Sequence, residues 1–235
     1  MSFPILCAAN WRHTMEIEAR WSEAWSFLLM GGPAIRAIAA LSVLTLALIL
    51  WKVWRLLLMG AWAGRNTENA VGMWVRGDRS GARTTLEGRK SLRAVVARAA
   101  IEGRITGEMT EDQQREEVER VANRQLGQAR TGLRALELIA TIAPLLGLLG
   151  TVLGMIAAFQ TLQEAGSRAD PAALAGGIWE ALLTTAAGMA VAIPASMALA
   201  WFESVADRAQ DDMEDAATRI LTRGGHPASA ATAAE

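Results

Sequence analysis

The sequence predicts an all-α, polytopic membrane protein with three transmembrane helices, two of them extended into a cytoplasmic helical bundle. Three observations lead there. The apolar residues of this 235-residue chain, 52% hydrophobic overall, are clumped into three long blocks almost free of charge. About 20 apolar residues in a helix cross a bilayer core of roughly 30 Å. Outside the blocks, apolar residues recur at spacings of three and four, the period of an amphipathic helix. Lys and Arg are gathered between the first and second blocks, which is the pattern of a cytoplasmic loop.

The elements follow in order. Residues 1–23 read as a periplasmic N-terminal segment: Met1 to Asn10 has no basic start and is broken by Pro4, so it is read as an ordinary tail rather than a signal segment. Trp11, Trp21 and Trp25 suit an interfacial amphipathic helix. Residues 24–51 form span one, in which Arg36 is the one charge between Ala24 and Leu50. Trp51, Lys52, Trp54 and Arg55 mark its end, where tryptophans favour the interface and long cationic stems snorkel.

Residues 52–137 are the cytoplasmic helical loop, with sixteen Lys or Arg against eleven acids. Thr110 and Gln113 fit a capping box. From there Val118, Ala122, Leu126, Ala129, Leu133, Leu136 and Ala140 make one stripe running into span two, with no proline before Pro144. A single helix over residues 111–162 would reach about 78 Å at about 1.5 Å per residue.

Span two covers residues 138–162, within an uncharged run from Leu138 to Gln163. Residues 163–171 are a short periplasmic link whose one basic residue is Arg168. Span three, residues 172–202, carries one charge, Glu180, and opens on Asp170 as N-cap and Pro171 as first helical residue. Residues 203–235 are a cytoplasmic helical tail: Ala206, Ala209, Met213, Ala217 and Ile220 repeat the helical period beside Asp207, Asp211, Asp212, Glu214 and Asp215. That acidic face either pairs with the basic loop in an assembly or stays solvated. Gly224 to Glu235 is expected to fray. Three spans place the N-terminus outside, in the periplasm, and the C-terminus in the cytoplasm.

Composition removes several function classes. A net charge of -1 argues against a nucleic-acid partner, and the single Cys7 makes no internal disulfide. His13 and His226 lie near the ends, and the apolar blocks hold no carboxylate cluster at ligand spacing, so no metal or other cofactor is expected. No nucleophile motif or phosphate-binding loop is present, and the chain does not read as an enzyme.

The spans themselves are too polar for plain anchors. Thr141, Pro144, Gly147, Gly150, Thr151 and Gly154 interrupt span two. Small residues allow close helix approach, and hydroxyls bond across helices or line a wet path. Glu180, with Thr184 one turn on and Thr185 beside it, is either a functional intramembrane carboxylate or an interfacial one. Thr151 either joins a polar stripe with Glu180 and Thr184 or bonds its own helix's carbonyl. Gly147, Gly150 and Gly154 are packing notches that would turn such a stripe towards a common axis.

Ile142 to Gly154 (IAPLLGLLGTVLG) and Gly177 to Ala195 (GIWEALLTTAAGMAVAIPA) resemble the two signature stretches of the MotA/TolQ/ExbB proton-channel family, most closely its ExbB and TolQ branch. The resemblance covers about a third of the chain directly. It implies a subunit of a motor in the bacterial inner membrane, self-assembled as a ring, typically a homopentamer. Its partner would be an ExbD/TolR-like single-span protein that supplies a titrating aspartate, with a TonB/TolA-like transducer beyond. Proton flow would energise TonB-dependent uptake or Tol-type envelope maintenance. By this resemblance Thr151 and Thr185 line the lumen and Glu180 sits on the same side. Thr184 ranks below Thr185, because other members carry Ala at that place. Pro144 and Pro194 are then shape residues whose freed carbonyls neighbouring helices satisfy. A competing reading is a non-conducting membrane scaffold that organises partners through its cytoplasmic helices.

Overall fold

The computed structural model describes residues 32–62, 64–166 and 170–223. The segment 1–23 with Trp11 and Trp21, the first part of span one with Trp25, Cys7, His13, Arg168 and the tail 224–235 with His226 lie outside the described residues. Among those described, the regular elements are seven α-helices and no strand: α1 (Gly32–Leu58), α2 (Arg65–Val75), α3 (Arg79–Leu86), α4 (Leu92–Thr106), α5 (Glu111–Arg130), α6 (Leu133–Ala165) and α7 (Pro171–Arg223). Three helical stretches are long and apolar enough to cross a membrane: Gly32–Leu58, Glu111–Ala165, which comprises α5 and α6, and Pro171–Arg223. The all-helical class with three spans is therefore as the sequence predicts.

The described chain forms two compact units, one of residues 32–47 and 136–196, the other of residues 48–135 and 197–223. In the first, α6 and α7 pack antiparallel along a seam of small residues. Ala143, Gly147, Gly150, Gly154 and Ala158 on α6 recur at steps of three and four, and so do Gly177, Ala181, Thr184 and Gly188 on α7. The approach is close enough that side chains are excluded at several points. A Cβ on Gly188 would lie 2.6 Å from the Ala143 carbonyl oxygen, and one on Gly177 would lie 2.6 Å from the Ala158 Cβ. At Gly147 a Cβ would meet the Thr185 Cα at 3.0 Å, and at Gly154 the Ala181 Cβ at 3.0 Å. Helix α1 turns Ile35, Ile38 and Thr45 inward. Outward-facing residues of this unit are large and apolar, among them Leu145, Val152, Phe159, Trp179 and Leu182. Such a surface is unfavourable in water and matched to lipid.

Both prolines sit inside continuous helices, Pro144 in α6 and Pro194 in α7. The start of α7 is built as the sequence indicates: the Ala172 amide donates to Asp170 Oδ1 at 2.9 Å, and Pro171 takes the first helical position.

The second unit is a helical bundle with its own core, in which Val71, Leu86, Val96, Ile101, Met213 and Ile220 are buried. Trp74 Nε1 donates to the Ile220 carbonyl at 3.2 Å, satisfying the indole in that core. The capping box at Thr110 and Gln113 is formed in both directions, and Val118, Leu126, Ala129, Leu133 and Leu136 of the expected stripe are buried. The acidic face of α7 neither waits for an assembly nor stays wholly solvated. Asp212 pairs with Arg93 at 2.5 Å and Asp207 with Arg130 at 3.0 Å, and Arg219 reaches Glu68 at 2.7 Å, all within this unit.

Two expectations need correction at the junction of α5 and α6. The single helix over 111–162 is interrupted: Thr131 is extended, with ψ 131°, and Gly132 has φ +86°, a left-handed conformation that glycine adopts without penalty. Gly132 also gives way to the Trp51 ring, whose Cζ3 would lie 2.9 Å from a Cβ there. Lys52, expected to snorkel, is instead 2% exposed. Its ammonium donates to the carbonyls of Ala129 and Thr131, the latter at 2.6 Å. Carbonyls at a helix end lack donors from the next turn, and a buried ammonium needs acceptors; each satisfies the other. The Thr131 hydroxyl donates to the Gly127 carbonyl at 2.9 Å, completing the end of α5. Neither feature had a local sequence signal, because the helical period runs unbroken through Thr131 and Gly132.

Three outcomes are expected. Gly188→Val should force the seam apart and cost about 1–3 kcal/mol, as overpacking of a tight interior does. Gly176→Ala, where a Cβ meets nothing within 4 Å, should be neutral in the same thermal melt. Lys52→Met keeps the stem and removes the donor, so it should destabilise by about 2–3 kcal/mol. Helical circular dichroism during denaturation measures it, and an unchanged midpoint would show that the carbonyls find other donors.

Candidate functional site

Two hydroxyls of the first unit meet at one carbonyl. Gly147 of α6 has no side chain to shield its backbone, and its oxygen accepts from the Thr185 hydroxyl at 3.2 Å. Thr184 Oγ1 lies 2.6 Å from its own helix's Ala181 carbonyl and 3.3 Å from Gly147 O. Thr184 is 4% exposed and fills the space opposite Gly150, where a Cβ would meet its Oγ1 at 2.6 Å. Its hydroxyl is thus enclosed in the seam of a single chain. Thr185 is half-buried and reaches the edge of the seam.

Thr151 and Glu180 lie on different flanks of that seam. A groove of about 540 Å³ is bordered by Gly32, Pro33 and Ala34 of α1 and takes Glu180 and Thr184 from α7 and Thr161 from α6. Thr151 borders another groove, of about 480 Å³, with Met155, Phe159, Gln160 and Gln163. At about 100° per residue, Thr151 and Met155 turn to one flank of the Gly147–Gly154 row and Leu153 and Ala157 to the other. On α7 the same geometry turns Thr185 to one flank and Glu180 to the other. The polar stripe of Glu180, Thr184 and Thr151 expected from the sequence is therefore split within one chain: Thr184 and Glu180 share the α1 flank, while Thr151 is with Thr185 on the far flank. The cause is the seam itself, which needs Gly147, Gly150 and Gly154 inward and so rotates Thr151 past it.

This arrangement fixes what each group can do. Thr151 donates to the Leu148 carbonyl at 2.7 Å and Thr185 to Gly147. With their protons committed, both hydroxyls keep lone pairs that accept from water or from a neutral carboxyl. Glu180 is exposed and acts as an acceptor when ionised. Among the described residues no group of three or more His, Cys, Asp or Glu side chains could hold a metal ion. The sequence reading picked out the α6 half of the seam and missed its complement, Gly177, Ala181 and Gly188. The signal was present, since those residues repeat the same three-and-four spacing among small side chains.

Comparison with known proteins places the chain in a family. Residues 88–215, more than half of the chain, match the MotA/TolQ/ExbB proton channel family. The chain is 44% identical over 87 residues to the biopolymer transport protein exbB1 of Vibrio cholerae, covering 37% of this chain and 38% of that one. It is 50% identical over 78 residues to a putative biopolymer transport protein, ExbB-like 1, of Synechocystis, covering 32% and 31%. With the biopolymer transport protein ExbB of Xanthomonas campestris it shares 37% identity over 105 residues, 43% and 41% of the two chains. In each case less than half of the relative's length is matched. These relatives are named for biopolymer transport. Three helices of spanning length together with these matches support a multi-pass protein of the inner membrane. The chain belongs to the MotA/TolQ/ExbB proton channel family.

Proposed function

We propose that the chain is a ring-forming subunit of an inner-membrane motor driven by the proton-motive force. With an ExbD/TolR-like single-span partner it energises TonB-dependent uptake or Tol-type envelope maintenance through a TonB/TolA-like transducer. The observation that carries this reading is the position of Thr151 and Thr185. They share the flank of the α6–α7 seam away from the groove bordered by α1, each with its proton donated to a backbone carbonyl and its lone pairs free.

Several copies, five in a homopentamer, turn that flank towards a common axis. The enclosed space then carries sparse hydroxyls on otherwise apolar walls, and the partner's carboxylic acid crosses it in neutral form by donating to Thr151 or Thr185. A threonine suits this task because it does not titrate. Each proton falling through 100 mV releases about 2.3 kcal/mol, which becomes work only when its passage is tied to movement of the partner. The seam supplies the stiffness for that coupling. Basic residues between spans one and two set the second unit in the cytoplasm, the N-terminus in the periplasm and the C-terminus in the cytoplasm. Glu180 lies on the other flank, in the groove bordered by α1.

A second reading, a non-conducting scaffold, is favoured by one feature of the second unit. A groove of about 460 Å³ between α5 and α7, with Val118, Leu126 and Met213 in its lining, has the form of a docking surface for a helix.

Thr151→Val and Thr185→Val keep the shape of each side chain and remove the acceptor. Each should abolish coupled uptake or envelope function while the assembled complex is recovered in normal amount. Full activity in both variants would remove these hydroxyls from the proton path. Glu180→Gln should retain more activity than Glu180→Ala if hydrogen bonding outweighs charge, since the amide keeps an acceptor oxygen. Equal tolerance of both would place Glu180 at an indifferent membrane surface.

A further inference from the structure

Several cations of the second unit, Arg93, Arg104, Arg130 and Arg219, pair with carboxylates of the same unit. Three that form no ion pair among the described residues, Arg65, Arg89 and Lys90, are exposed and stand at one end of it. Their place is set by two contacts. The Leu92 amide, which starts α4, donates to the carbonyl of Met59, one residue beyond the end of α1, at 3.4 Å. At most about 7 Å of chain separates Lys90 from that bond. Gly64, the residue before Arg65, lies against the Arg93 side chain, whose Cδ would be 3.8 Å from a Cβ there. The turn of residues 87–91 and the segment 59–65 are therefore side by side, at the end of α1.

That end faces the bilayer surface. With Lys52 enclosed, the outer face of α1 stays apolar to its last residue, where Leu50, Trp54, Leu57 and Leu58 are exposed at helical spacing. Trp62 then stacks on Trp201, with ring centroids 6.1 Å apart and both rings half-exposed. Exposed tryptophans beside an apolar helix end mark the headgroup level.

The cations are arranged to receive an anion there. Arg89 Nε donates to the Thr85 carbonyl at 3.0 Å, which fixes the stem and leaves both terminal nitrogens without a partner among the described residues. A guanidinium so held matches two oxygens of a phosphate. Lys90 adds a point charge beside it, and Glu87 is the one acid of the turn. Arg65 occupies the first residue of α2, where the helix dipole disfavours a cation, so its charge does not serve its own helix.

We propose that the turn of residues 87–91, with Arg65 beside it, is a docking surface for anionic phospholipid. Arg89 and Lys90 hold headgroup phosphates of the leaflet that span one leaves, and Leu57, Leu58 and Trp62 meet the apolar part of the same lipids. The contact ties α3 and α4 to the bilayer at the point where α1 enters the second unit. It requires a bilayer and neither ring assembly nor a protein partner.

The test uses the full chain on a Cys7→Ser background with a spin label at Glu87→Cys, in vesicles of phosphatidylcholine alone or mixed with phosphatidylglycerol. Accessibility of the label to a water-soluble nickel chelate should fall in the mixed vesicles. For the otherwise unaltered chain it should recover in about 1 M salt, where the Debye length is about 3 Å. Arg89→Gln with Lys90→Gln should abolish the fall, and Arg89→Lys with Lys90→Arg should keep it. A label at Met109→Cys, beyond the other end of α4, should respond to neither lipid. Equal accessibility in the two kinds of vesicle, or a fall that survives in the double glutamine variant, would overturn the proposal. So would the same fall produced by inorganic phosphate in phosphatidylcholine vesicles, which would mean a free anion. Shielding in native membranes but not in mixed vesicles would overturn it in favour of a protein partner.

Discussion

Close approach of α6 and α7 is the constraint on which the membrane part of this protein depends. Between helices in lipid there is no hydrophobic driving force, because acyl chains are as apolar as leucine, so association rests on contact density and on hydrogen bonds across the interface. The seam has both. Glycine and alanine bring backbones to distances at which a Cβ on Gly188 would lie 2.6 Å from a carbonyl oxygen, and Thr185 then reaches across to Gly147 at 3.2 Å. Once these residues are committed inward, helical geometry leaves no freedom for the rest. Thr151 and Thr185 fall on one flank and Glu180 on the other. The division of polar groups that the proposed motor uses is thus a consequence of packing, not an additional design.

Charge placement obeys the same economy in the second unit. Asp212 and Asp207 of α7 meet Arg93 and Arg130, and Arg219 of α7 meets Glu68 of α2, partly exposed pairs of modest strength. Lys52 is the exception, being fully enclosed, and its partners are backbone carbonyls rather than a carboxylate. Three proton donors on one atom suit a helix end, where several carbonyls lack partners within a few ångströms. The break at Thr131 and Gly132 and the burial of Lys52 therefore explain one another. Without the ammonium, the left-handed glycine would leave carbonyls unserved; without the break, the ammonium would have no acceptors.

Much of this was legible in the sequence, where the governing signal is periodic or local. Three blocks almost free of charge gave three spans, the Thr110 and Gln113 pair gave a cap, Asp170 with Pro171 gave the start of α7, and the Gly147, Gly150 and Gly154 row gave half of the seam. Legibility fails where the cause is distant in the chain. Lys52 finds carbonyls more than seventy residues away, and nothing near it distinguishes a buried lysine from a snorkelling one. Gly132 sits within an unbroken helical period. Thr184 and Thr185 look alike on paper, yet a rotation of one residue encloses the first in the seam and leaves the second at its edge. Sequence spacing puts Glu180 and Thr151 on one stripe, and the facing helix fixes the rotation that separates them.

The central claim is that the Thr151 and Thr185 flank becomes the wall of a proton path when copies assemble around a partner. Proton uptake into lipid vesicles, driven by an imposed membrane potential, tests it most directly. The account predicts flux when this chain and its single-span partner are reconstituted together, and little flux from this chain alone. A complete complex that stays proton-tight under the same potential would contradict the account and favour a scaffold.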